Sequence, residues 1–98
     1  MSQFTQKFPA EVLDYPIDFT NRLENGDTIP SAASATVASA DFTVNPTPKA
    51  TTLDAPQKIV TFWLGGGIIG VTGKATCTVV TTLGRTVEAE IFITVLAP

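Results

Sequence analysis

From residue 58 onward the chain alternates apolar and polar positions. In residues 58–64, Val60, Phe62 and Leu64 share one parity, and Ile59, Thr61 and Trp63 share the other. Successive strand side chains point to opposite faces, so this run predicts a central strand with the first set facing the core. Gly65-Gly66-Gly67 stops it. Residues 71–82 alternate again, with Ala75, Cys77 and Val79 on the inward parity and Thr76, Thr78 and Val80 outward. Residues 86–96 place Val87, Ala89, Ile91, Ile93 and Val95 inward, and Glu88, Glu90, Phe92 and Thr94 outward. Two long alternating runs joined by Thr82-Leu83-Gly84-Arg85 predict a β-hairpin.

The first half carries a weaker signal. Residues 12–19 alternate, with Leu13, Tyr15, Ile17 and Phe19 on one face and Asp14, Pro16 and Asp18 on the other. Pro16 brings no ladder donor, so this strand is expected at a sheet edge or with a bulge. Residues 21–23 fit a single turn, and Glu24-Asn25-Gly26-Asp27 is a turn signal. Residues 31–44 read as strand, because Thr36, Val37, Phe42, Thr43 and Val44 keep a β-like composition and no helix caps appear; the alanines leave a helix as the alternative. Pro46, Pro48 and Pro56 then frame a loop with a short extended piece at residues 51–53. Residues 1–9 show no clear period and read either as a frayed terminus or as an arm that orders on a partner. The expected fold is all-β: a small antiparallel β-sandwich over residues 11–98, preceded by an extended N-terminal arm over residues 1–10.

Composition narrows the function classes. Ninety-eight residues make one domain with room for one modest core. The single cysteine, Cys77, has no internal disulfide partner and is expected in the core. No apolar run follows the start of the chain, so no signal peptide is expected, and residues 59–71 are too short and too glycine-rich to span a bilayer. The net charge is −3, and Lys7, Arg22, Lys49, Lys58, Lys74 and Arg85 are scattered, which argues against a nucleic-acid partner. Only 15% of residues are charged. Threonine, serine, alanine and valine take the surface positions instead, a composition suited to a surface that lies against neighbours.

Candidate chemistry is sparse. With no histidine, the commonest general base and most zinc sites are missing. Asp14 and Asp18 share a strand face roughly 13 Å apart, too far for a glycosidase pair. Asp14, Asp18, Glu24 and Asp27 would surround a calcium ion only if the loop folded back, and they lack the dense alternation of a calcium loop; solvated or hydrogen-bonded carboxylates are the preferred reading. The triple glycine is followed by no helix start and no Lys-Ser/Thr pair, so it reads as a tight connection rather than a phosphate loop. Glu88 and Glu90 read as solvent-facing charges that discourage strand addition. No catalytic residue, cofactor site or metal site is expected.

What remains is a set of apolar candidates for a protein interface: Phe4, Phe8, Trp63, Ile68, Ile69, Leu83 and Phe92. Ile68 and Ile69 either cap the end of the sandwich or form an exposed contact. Trp63 and Phe92 would share one aromatic surface if their strands pair.

Several segments together resemble a known family. Pro9, Glu11, Leu13-Asp14-Tyr15, Asp18-Phe19, Leu23 and Gly26-Asp27-Thr28-Ile29 follow one another as in small structural proteins of tailed bacteriophages and prophages. Phe62-Trp63-Leu64, Gly66-Gly67, Gly70, Thr76-Cys77-Thr78-Val79 and Gly84-Arg85-Thr86 continue the likeness, and residues 31–57 are least marked. The chain thus resembles the phage fiber–tail adaptors and related virion proteins, which implies an immunoglobulin-like sandwich. Gly73 departs from the pattern, standing where the family has an aromatic residue that would fill the sandwich end. The resemblance implies a virion structural protein, made in the bacterial host cytoplasm, that links a tail tube, neck or portal-proximal ring to fibers. It implies multiple copies in a symmetric assembly, with no nucleic-acid or membrane partner. A capsid decoration protein is the first alternative. A surface module stacking host glycan on Trp63 and Phe92 is the second.

Overall fold

The alternating runs become strands in the computed structural model, which describes residues 2–23, 26–46, 49–54 and 58–97, with backbone alone for residues 2–4. The strands are β1 (Ser2–Lys7), β2 (Leu13–Asp18), β3 (Ala35–Ala38), β4 (Thr43–Val44), β5 (Thr52–Leu53), β6 (Ile59–Gly65), β7 (Thr72–Val80) and β8 (Thr86–Val95). They form two sheets. One has the order β1-β8-β7-β3, and the other β2-β6-β4, with β5 also pairing β6. The fold is therefore an all-β sandwich. The expected turn at Glu24-Asn25 and the prolines Pro48 and Pro56 lie outside the described residues.

The predicted facings hold throughout the second half. Val60, Phe62, Leu64, Ala75, Cys77, Val79, Val87, Ala89, Ile91, Ile93 and Val95 are all buried in one core cluster with Tyr15, Ile17, Phe19, Ile29 and Phe42. On the β7–β8 ribbon small residues oppose larger ones: Gly73 faces Ile93, and Ala75 faces Ile91. β2 lies at a sheet edge, as Pro16 requires, and lays Leu13, Tyr15 and Ile17 opposite Leu64, Phe62 and Val60 of β6. Burial pushes the Cys77 thiol up to about 11, so it stays protonated near neutrality and packs as a small apolar group. Among the described residues no helix is long and apolar enough to cross a membrane.

Three features depart from expectation. Residues 31–44 are not one strand. After a 3-10 turn at Ala32–Ser34, β3 pairs with β7, and the chain then crosses to the other sheet, where β4 pairs with β6. The first residues are not an arm clear of the sandwich either, because β1 runs parallel to β8 from Ser2 opposite Glu90 to Lys7 opposite Val95. Parallel neighbours share a parity, so Gln3, Thr5 and Lys7 occupy the register positions beside the buried Ile91, Ile93 and Val95. Polar residues at those positions hid the strand from a hydrophobic-pattern reading. As a consequence β8 is an interior strand. Glu90 does not guard a bare edge but pairs with Lys74 at 3.3 Å, while Glu88 lies beyond the register of β1.

The turns and crossings between strands are fixed by polar side chains that reach backbone groups. Asn45, in the left-handed region at φ 47°, donates its own N–H to the Trp63 carbonyl (2.7 Å) and accepts the Trp63 N–H on its side-chain oxygen (3.0 Å), carrying the ladder from β4 towards β5. Asp54 accepts the N–H groups of Lys58 and Ile59, both at 2.8 Å, at the start of β6. Asp27 is fully buried, and its Oδ1 accepts from Thr28 N (2.9 Å) and from Leu83 N (3.1 Å) in the β7–β8 turn. Thr82 N donates to Thr28 O at 2.8 Å alongside. Desolvation pushes the Asp27 carboxyl up, but the Thr81 hydroxyl and the Leu83 and Thr28 N–H groups outweigh it and leave the carboxyl below its ordinary value. Oδ2 has no hydrogen-bond partner among the described residues.

Two outcomes follow. Ile91→Ala should cost ~2–5 kcal/mol in chemical denaturation, the usual range for emptying a buried aliphatic site; a neutral result would contradict the inward facing of β8. A carboxyl whose folded-state pKa is depressed contributes stability above its unfolded value that is lost as pH falls through the folded one. Stability should therefore fall in acid below pH 3.8. In pH-dependent denaturation, Asp27→Asn should be less stable than the parent at neutral pH and should show a shallower acid slope.

Candidate docking surfaces

One end of the sandwich gathers loops from three parts of the chain. β1 ends at Lys7, whose carbonyl accepts Leu96 N (2.8 Å); Gly70 N donates to Val95 O (2.9 Å), and Val95 N to Val71 O (3.1 Å). The linker 8–12 and the glycine-rich loop 66–71 therefore meet at the end of β8. Gly66, Gly67 and Gly70 hold φ of 76°, 105° and 80°, backbone that side-chain-bearing residues rarely adopt. Such a loop turns sharply and leaves its apolar pair outside: Ile68 is 70% exposed and Ile69 52%. Phe8, Val12 and Val71, also exposed, stand on the same converging segments. Sequence reasoning had Phe8, Ile68 and Ile69. It missed Val12, an apolar residue just ahead of β2 on its polar parity, and Val71, which shares the inward parity of the run 71–82 but lies ahead of β7 and is exposed.

Lys7 anchors this end from below. Its side chain is only 2% exposed, and its ammonium donates to the carbonyls of Phe8 (2.7 Å), Pro9 (3.4 Å) and Gly66 (2.5 Å). Three acceptors match the three donors of an ammonium. Burial pulls the Lys7 pKa below the ordinary lysine value, with the Glu11 carboxylate pulling it back up.

Phe42 fills the space that Gly73 leaves open. A Cβ on Gly73 would lie 2.5 Å from Cε2 of the Phe42 ring, and a Cβ on Gly67 would lie 2.8 Å from its Cε1. The ring is thus seated between two glycines, and an aromatic from the β3–β4 crossing takes the place of one at position 73. Ser39 and Asp41 hold the crossing in position. The Ser39 hydroxyl donates to Lys74 O (2.8 Å) and accepts Phe42 N (3.1 Å), while Asp41 Oδ2 accepts Lys74 N (3.0 Å). A small hollow bounded by Phe42, Val95, Asp41, Ile68 and Val71 opens beside the ring.

The other candidates lie elsewhere. Leu83, 62% exposed, is in the β7–β8 turn at the opposite end, the length of β7 away, or ~30 Å. Trp63 is half-buried on the outer face of one sheet, with the Lys49 ammonium 4.2 Å from its ring centroid. Phe92 is half-buried on the outer face of the other sheet, opposite Lys74 of β7 and the backbone position of Phe4 in β1. Their strands do not pair, so Trp63 and Phe92 do not form one aromatic surface. The Phe4 side chain lies outside the described residues. The hydroxyl of the buried Tyr15 has no hydrogen-bond partner among the described residues; desolvation first, then Glu11 and Asp14, raise its pKa to about 12. No group of three or more His, Cys, Asp or Glu among the described residues could hold a metal ion.

Against known families, a profile described as "Podophage GP4 fiber-tail adaptor protein gp77" matches residues 7–94, which takes in both ends of the sandwich and both outer faces. No curated protein matches the chain.

The glycine seat of Phe42 is testable by substitution. Gly73→Ala should destabilise the fold by ~1–3 kcal/mol, the usual cost of overpacking, because the methyl meets the ring. Adding Phe42→Leu, which shortens the opposing side chain, should recover part of that loss. Strict additivity of the two changes in thermal or chemical denaturation would show that the ring and the glycine do not touch.

Proposed function

The chain belongs to the podophage GP4 fiber-tail adaptor family, and from that membership we propose that it is a virion structural protein that joins the tail or neck to fibers by protein–protein docking. The observation that carries this reading is the apolar end. Phe8, Val12, Ile68, Ile69 and Val71 stand exposed on loops pinned together by backbone hydrogen bonds. Contiguous exposed apolar residues on a small domain mark a contact surface. The shallow hollow beside Phe42 gives that surface some relief. Leu83 at the far end, and Trp63 and Phe92 on the outer faces, offer the separate contacts that a linking protein needs.

The partners in this reading are other virion proteins: a tail tube, neck or portal-proximal ring on one side and a fiber on the other. The mechanism is geometric and includes no catalytic step. Several copies in a symmetric arrangement turn individually weak contacts into firm attachment through effective concentration. The protein is made in the bacterial host cytoplasm and does its work in the virion. Lys49 already occupies one face of the Trp63 indole, which weighs against that ring as a sugar-stacking platform.

Ile68→Ser together with Ile69→Ser tests the reading. Both positions are exposed, so the isolated domain should keep its stability within ~0.5 kcal/mol, while incorporation into particles, measured by quantitative mass spectrometry of purified virions, should fall sharply. Unchanged incorporation would remove this end from the interface. Copy number in the parent particle separates the roles: a small ring with cyclic symmetry fits an adaptor, whereas a copy number that follows the capsid lattice fits a decoration protein.

A further inference from the structure

We propose that β1 is exchanged between copies of this chain, so that Ser2–Lys7 of one copy pairs with β8 of the next. The inference concerns how copies join each other, and it holds whichever part of a virion they join. Four observations lead to it. First, among the described residues β1 pairs with β8 and with no other strand. Second, its register positions beside Ile91, Ile93 and Val95 are Gln3, Thr5 and Lys7, none of them an apolar residue type. Of its described side chains only Lys7 is buried, and in an exchanged pair the Lys7 of the neighbouring copy fills the same place.

Third, the linker 8–12 that folds β1 back onto its own domain is held by few bonds. Glu11 N donates to Phe8 O (3.1 Å), and Phe8 N donates to the Glu11 carboxylate (2.7 Å). Opening this turn gives up those contacts and the Lys7 bonds to Phe8 and Pro9, while the β1–β8 ladder and the Lys7 bond to Gly66 re-form on a neighbour. Exchange of an identical element costs little beyond its hinge, so local concentration decides which copy supplies the strand. Fourth, the occupant is defined by the molecule itself. The edge of β8 accepts Ser2–Lys7 in a stated register, and every other copy carries the same segment.

The register also supplies the test. Gln6 and Thr94 are direct partners across the β1–β8 seam, on the outward parity. A Gln6→Cys chain is mixed with a Thr94→Cys chain, co-refolded and oxidised at high concentration; Cys77 is sealed in the core and does not compete. Exchange produces a disulfide joining one chain of each kind, in a yield that rises with concentration. A Gln6→Cys and Thr86→Cys mixture, whose second site lies at the far end of β8 and opposite no β1 residue, gives only background. Hetero-disulfide no higher than that background overturns the proposal.

A second variant forces the choice. Deleting residues 9–11 leaves Phe8 and Val12 to reverse the chain and cross ~10 Å between sheets. The expected result is a shift from monomer to dimer or larger mass in light scattering, with β-sheet circular dichroism retained. A folded monomer would count against exchange. The mixing experiment keeps the full linker and decides the matter even if the deletion variant fails to fold.

Discussion

A two-sheet fold has to pair the backbone groups left over wherever the chain passes from one sheet to the other, and in this protein single polar side chains do that pairing. Asn45 does the same within one sheet, standing in for a missing ladder residue beside Trp63 between β4 and β5. Ser39 and Asp41 satisfy both backbone groups of Lys74 where β3 leaves the sheet. Asp27 reaches the β7–β8 turn, and Lys7 collects carbonyls at the opposite end. Buried backbone groups without partners are costly, so these residues determine where the chain can cross. The apolar core then fills the space between crossings whose positions are already set.

Regular alternation made much of this fold legible in the sequence. β2 and β6 to β8 each bury one parity and expose the other, and a period of two survives without knowledge of the partner strand. Pro16 announced an edge for an equally local reason, its missing donor. What stayed hidden depends on long-range pairing. β1 has polar residues on its inward parity, so only the ladder to β8 reveals it as a strand. The break between β3 and β4 is set by Ser39 and Asp41 meeting Lys74, a contact more than thirty positions away that composition does not encode.

The candidate surfaces were legible to the same degree. An isoleucine pair inside a glycine-rich loop stood out because nothing in such a loop can cover it, and Phe8 stands on the linker that meets that loop at the end of β8. The supposed Trp63–Phe92 surface failed because face parity says nothing about which sheet a strand joins. Gly73 looked like a defect when read alone. The compensating ring comes from Phe42, on a segment where the family likeness was weakest.

The Lys7 clasp bears on how the protein tolerates its surroundings. Among the described residues its positive charge is balanced by carbonyl dipoles rather than by a carboxylate at salt-bridge distance. Mobile ions weaken attraction between exposed charges far more than contacts sealed from solvent, and the ion pair between Lys74 and Glu90 lies on the open surface. The joint between the first strand and the glycine loop therefore leans less on open-surface charge than the Lys74–Glu90 pair does, and added salt loosens that surface pair before it loosens the clasp.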